Sequence, residues 1–79
     1  RGKLSEDLIK LGFKVWDSQT NFLLTQPPQG NAEYLYLKLK EQDILIRYFK
    51  QEGLEDKLRI AVGTDEENKV LIEALSGLF

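Results

Sequence analysis

The stretch Leu58-Arg59-Ile60-Ala61-Val62-Gly63-Thr64-Asp65-Glu66-Glu67-Asn68 contains a strand, its stop and the start of a helix. Strand side chains alternate with period two, so Leu58, Ile60 and Val62 share one face while Arg59 and Ala61 share the other. Gly63 ends the strand. Thr64 and Glu67 stand at capping-box spacing, Thr64 bonding forward and Glu67 reaching back. The acids Asp65, Glu66 and Glu67 complement the positive end of a helix dipole. Val70, Leu71, Ala74, Leu75 and Leu78 then give that helix a buried stripe.

Upstream, Ile44-Leu45-Ile46-Arg47-Tyr48-Phe49 reads as another strand, with Ile44, Ile46 and Tyr48 on one face and Leu45, Arg47 and Phe49 on the other. The polar stretch Lys50 to Lys57, containing Gly53, joins the two. Asn31 fits an N-cap for a helix running to about Gln42, with Ala32, Leu35, Tyr36 and Leu39 as its apolar stripe. Before it, Phe13–Trp16 and Asn21–Gln26 flank the polar turn Asp17–Thr20, which predicts an antiparallel hairpin closed by Pro27-Pro28-Gln29-Gly30. Leu4, Leu8 and Leu11 mark a first helix, which Ser5 could cap, and Gly12 sits where a left-handed C-cap belongs. The order is α-β-β-α-β-β-α. The predicted fold class is α+β, a small antiparallel sheet covered on one face by helices.

If the all-apolar strand faces meet the helices, Arg47 and Arg59 project from the uncovered side beside Leu45, Phe49 and Ala61. That side is too apolar for idle solvent surface, so something outside these residues is expected to pack there. An arginine on an open sheet face is ordinarily a solvated charge with a loose acidic neighbour, here Glu52, Glu55 or Asp56, worth about 0–1 kcal/mol. The sharper reading is an anion site, because guanidinium is planar, always protonated and forked to match carboxylate or phosphate.

Composition narrows the chemistry. The chain has 79 residues, enough for one domain whose folding buries only roughly 60–65% of the unfolded surface. It has no cysteine and no histidine, which removes disulfides, thiolate nucleophiles and the commonest general base and metal ligand. The first residue is Arg1 rather than a methionine, which suggests a piece of a longer protein. No apolar run approaches the ~18 residues of a membrane span. A net charge of -2 argues against a nucleic-acid binder driven by phosphate contacts. No G-x-G-x-x-G or G-x-x-x-x-G-K-[ST] loop occurs, and Ser5, Ser18 and Ser76 have no histidine to activate them. Asp65-Glu66-Glu67 suits capping far better than a metal site. Tyr34 and Tyr36 fit partial burial on a helix, and Trp16 fits core or interface. Nothing here is catalytic machinery by itself.

Three blocks in order carry a resemblance: Ser18-Gln19-Thr20-Asn21-Phe22-Leu23-Leu24, then Ile44-Leu45-Ile46-Arg47, then Leu58 to Asn68. Together, over about Leu4 to Leu75, the chain resembles the C-terminal small domain of the histidinol-phosphate aminotransferase family, within the fold-type I enzymes dependent on pyridoxal 5′-phosphate. Asp17 stands where that family commonly has proline, and Ala61 where threonine is frequent. The resemblance implies that residues 1–79 are one small domain whose parent is a cytoplasmic homodimer. The parent would transfer an amino group between histidinol phosphate (or its ketone) and glutamate or 2-oxoglutarate. Arg59 matches the arginine that grips the substrate α-carboxylate, and Arg47 matches one associated with the substrate phosphate. The family's catalytic lysine and cofactor site lie in the large domain. None of the eight lysines here sits in the matching context, so this piece alone is expected to be inactive and to hold no cofactor. Its partners would be its own large domain and a small-molecule substrate, with no nucleic acid and no membrane. The rival readings are the small domain of another aminotransferase or amino-acid phosphate decarboxylase, and a non-catalytic α+β ligand-binding or regulatory module.

Overall fold

The computed structural model describes residues 2–16 and 21–79. The polar turn Asp17–Thr20, with Ser18 and the family departure at Asp17, lies outside the described residues. Three helices and four strands follow one another as α1 (Gly2–Lys10), β1 (Lys14–Trp16), β2 (Phe22–Gln26), α2 (Ala32–Glu41), β3 (Arg47–Tyr48), β4 (Leu58–Ala61) and α3 (Asp65–Ser76). All strand pairs are antiparallel, and the order across the sheet is β1-β2-β4-β3. The β1–β2 pairing is the expected hairpin. The chain then crosses through α2, lays β3 at the far edge and inserts β4 between β2 and β3.

The covered face is the apolar one. Leu23, Leu58 and Ile60 from the sheet join Leu4 and Leu8 of α1, Ala32, Leu35 and Leu39 of α2, and Leu71 and Leu75 of α3 in one core. Thr25 lies among them fully buried, and its Oγ1 donates to the Leu58 carbonyl at 3.0 Å, which satisfies a hydroxyl that water cannot reach. Each buried leucine contributes roughly 1.5–3 kcal/mol relative to an exposed one.

Helix ends explain where the elements stop. At the end of α1, Gly12 takes φ +96°, its N–H donates to the Ile9 carbonyl at 2.9 Å, and the Phe13 N–H donates to the Leu8 carbonyl at 3.1 Å. This is a Schellman ending, with Phe13 and Leu8 both buried beneath it. The same pattern closes α2 without a glycine. Asp43 sits at φ +61°, its N–H donates to Lys40 O at 3.0 Å, and the Ile44 N–H donates to Leu39 O at 2.9 Å. That ending uses the amides of residues 43 and 44, so Ile44 does not begin the strand, and the strand expected over Ile44–Phe49 is confined to Arg47–Tyr48.

Three local expectations are corrected. Ser5 lies inside α1 and does not cap it. Asn31 occupies the N-cap position of α2 but makes no side-chain capping bond. A 3-10 turn at Pro28–Gly30 delivers the chain with Asn31 at φ -77°, ψ 38°, outside the extended geometry that side-chain capping needs. Val70, expected in the stripe of α3, is 45% exposed, while Leu71 and Leu75 are buried. The capping box of α3 is fully formed. The Thr64 N–H donates to Glu67 Oε1 at 2.9 Å, and the Glu67 N–H donates to Thr64 Oγ1 at 3.1 Å.

Candidate functional site

Opposed residues in an antiparallel pair lie on the same face, so the register places side chains directly. Trp16 opposes Leu24, Leu24 opposes Arg59, and Arg59 opposes Arg47. One row therefore crosses all four strands on the side away from the helices, with both arginines in it. Phe22 opposite Ala61 forms the neighbouring row. The expected uncovered face is present, and Arg47 and Arg59 share it. Leu45, beside it, is 77% exposed.

Arg59 is half-buried and Arg47 exposed. The Arg59 guanidinium carbon lies 4.4 Å from the Phe22 ring centroid and 5.4 Å from that of Phe49. Each ring is a diagonal neighbour, Phe22 from β2 on one side and Phe49 just past β3 on the other. The Arg59 Nε–H is buried and has no hydrogen-bond partner among the described residues. Among the described residues, no carboxylate forms an ion pair with Arg47 or Arg59. The loop acids considered as partners do not reach them, and Asp56 instead pairs with Lys57 at 3.0 Å. Lys57 Nζ also stands 5.9 Å from the Trp16 ring centroid. Two adjacent guanidinium groups without acids form a local cationic centre on a chain that is acidic overall.

The junction after β4 is held by side chains of α3. Asn68 clasps Gly63 twice, its Oδ1 accepting from the Gly63 N–H at 3.0 Å and its Nδ2 donating to the Gly63 carbonyl at 3.3 Å. A Cβ on Gly63 would stand 2.6 Å from Glu67 Oε1, the oxygen engaged in the capping box. The Asn21 carbonyl accepts from the Val62 N–H at 2.7 Å and extends the β2–β4 pairing beyond Ala61.

Neither of two surface grooves contains the arginine pair. One, of about 410 Å³, runs between residues 43–46 and the start of α3, lined by Ile44, Leu45, Val70 and Leu71 among others. The second lies between α1 and α3, lined by Lys3, Asp7, Lys69 and Ile72 among others. The arginines stand on an open face, so another body is needed to make a closed site of them. A phosphate-bearing cofactor does not fit the start of α3, because Asp65, Glu66 and Glu67 crowd its first turn and the capping box is closed. Among the described residues, no group of three or more acids, histidines or cysteines is arranged to hold a metal. No described helix is long and apolar enough to cross a membrane.

The sequence reading located both arginines but missed Phe22 as a neighbour of Arg59. Alternation along β2 carried that signal, since it sets Phe22 and Leu24 on the arginine side. Trp16 is 43% exposed, which excludes a core role. Tyr36 is half-buried as expected and stacks 5.8 Å from Tyr48, whereas Tyr34 is exposed beneath Lys38.

Known proteins share this sequence and fold. The family model for aminotransferase class I and II matches residues 1–75. A histidinol-phosphate aminotransferase 1 from Nostoc sp. is 72% identical over 78 residues, covering 99% of this chain and 22% of that protein. A histidinol-phosphate aminotransferase from Pseudomonas putida is 43% identical over 76 residues, 96% of this chain and 22% of the relative. Among solved structures, the histidinol-phosphate aminotransferase of Clostridium acetobutylicum superposes with a TM-score of 0.87 at 32% identity, covering 99% of this chain and 25% of that one. L-threonine-O-3-phosphate decarboxylase from Porphyromonas gingivalis gives 0.76 at 29% identity, with 95% and 25% covered. The chain thus spans about a fifth of the length of the curated relatives it matches. With the sheet order, the cationic row and the capped junction in place, the chain belongs to the class I and II aminotransferase family.

Proposed function

We propose that this chain is the C-terminal small domain of a cytoplasmic, homodimeric histidinol-phosphate aminotransferase and supplies its substrate-binding arginines. The observation that carries the reading is the pairing of Arg59 with Arg47 on one uncovered face. Glutamate brings an α-carboxylate and histidinol phosphate, which has no carboxylate, brings a doubly charged phosphate, so the first calls for one guanidinium and the second is best met by two side by side. In this reading Arg59 receives the α-carboxylate of glutamate, and the amino donor and the phosphorylated substrate occupy the same face in turn. Arg47 receives the phosphate of histidinol phosphate.

The guanidinium fork donates paired hydrogen bonds to an oxyanion, which fixes the orientation of the reacting end as well as holding it. The family works with pyridoxal 5′-phosphate. Since the start of α3 does not fit a phosphate, the cofactor would be held by parts of the parent outside these residues. The parent's large domain would close the open face over the substrate.

Replacing Arg59 by Ala in the parent enzyme should raise KM for glutamate and for histidinol phosphate alike, each by about 10–100-fold, the loss of a charge-assisted contact worth roughly 1.5–3 kcal/mol. Unchanged values for both substrates would remove the assignment. A second reading, decarboxylation of a phosphorylated amino acid, is favoured by the likeness to the Porphyromonas gingivalis enzyme. Assaying the parent for amino transfer and for carbon dioxide release separates the two.

A further inference from the structure

Resting on the assignment of Arg59 to a carboxylate, we propose that Phe22 and Phe49 are positioning residues that hold its guanidinium for end-on capture of that group. The two rings come from strands on opposite sides of β4, at 4.4 Å and 5.4 Å from the guanidinium carbon. Cationic groups at these distances are attracted by the ring quadrupole. A long arginine on an open sheet face otherwise loses side-chain freedom each time it grips a ligand, and a clamp removes that loss beforehand. The clamp also decides which donors are used. Nε–H is enclosed and has no acceptor among the described residues, so the fork left for an oxyanion is the pair of terminal nitrogens.

A buried donor without a partner is unfavourable. A leucine or methionine at position 59 would fill the gap between two phenylalanines without that penalty. Packing alone therefore does not account for an arginine between the rings, whereas service by its other end does. Phe22 is the closer ring and the stronger half of the clamp.

The test uses the full-length enzyme with its cofactor, assayed with glutamate. Phe22→Leu should raise KM about tenfold and Phe49→Leu about threefold, each with a smaller change in kcat. Tyrosine at either position, which keeps the ring, should stay within about twofold of the parent. In an Arg59→Ala background, Phe22→Leu should raise KM no further, because the ring acts only through the arginine. Graded fluorination of Phe22, which weakens the ring face at nearly constant shape, should raise KM stepwise even if the leucine variant fails to fold. A flat fluorination series, or an undiminished Phe22→Leu effect without Arg59, overturns the clamp and leaves the arginine assignment standing. An Arg59→Ala enzyme with unchanged KM overturns the assignment and the clamp together.

Discussion

Arg47 and Arg59 face one another across a single antiparallel rung, and like charges so placed repel. No described acid relieves them. On the proposed reading the relief is the bound anion, either the phosphate dianion of histidinol phosphate beside both arginines or the α-carboxylate of glutamate at Arg59. Arg47→Ala should then weaken histidinol phosphate by at least tenfold in KM while changing glutamate by less than threefold, about 0.7 kcal/mol. The comparison is made by steady-state kinetics on the parent enzyme. Equal losses for both substrates would sink the phosphate role. Both arginines, and their common face, were legible from strand alternation alone. Their ligands were not. Alternation fixes direction, and it says nothing of what stands across an open face. Phe49 was legible on that face as well, whereas Phe22 was not, since it comes from β2, far from β4 in sequence.

At the level of elements, what the sequence disclosed depended on whether the local chemistry names its geometry. Gly12 signals a left-handed helix end, and the end is there. Asp43 makes the same turn at φ +61° without the residue that announces it. The strand after it was therefore read as starting three residues too early, at Ile44 rather than Arg47. Asp43→Gly should relieve the left-handed strain and stabilise the chain by up to about 1 kcal/mol, seen as a higher denaturant midpoint. An unchanged or lower midpoint would mean that the aspartate is not strained there.

The junction from β4 to α3 is the opposite case. Its capping box was read from Thr64 and Glu67 directly. The double clasp of Asn68 on Gly63 was not, because a five-residue spacing belongs to no standard cap. Gly63→Ala drives a methyl against the Glu67 carboxylate and should destabilise by about 1–2 kcal/mol through loss of the box. Denaturant unfolding reads this directly, and a shift below about 0.3 kcal/mol would show that Glu67 can yield without releasing its capping bond.

For the molecule as a whole, the helices cover one side of the sheet and leave the other with Trp16, Phe22, Leu24 and Ala61 around the arginines. The α+β class and the order of elements along the chain follow from hydrophobic period and turn chemistry, which act locally, whereas the order across the sheet depends on the long-range pairing of β2 with β4. What covers the second side is a long-range matter, and here it rests on a chain that spans 22% of its curated relatives. On the proposed reading this side is the substrate wall of the parent enzyme. The most direct measurement is arginine-specific dicarbonyl labelling of the full-length enzyme, read at single residues by mass spectrometry. Histidinol phosphate should protect both Arg47 and Arg59 from modification, and glutamate should protect Arg59 far more than Arg47. Labelling of both arginines that is unaffected by either substrate would contradict the account.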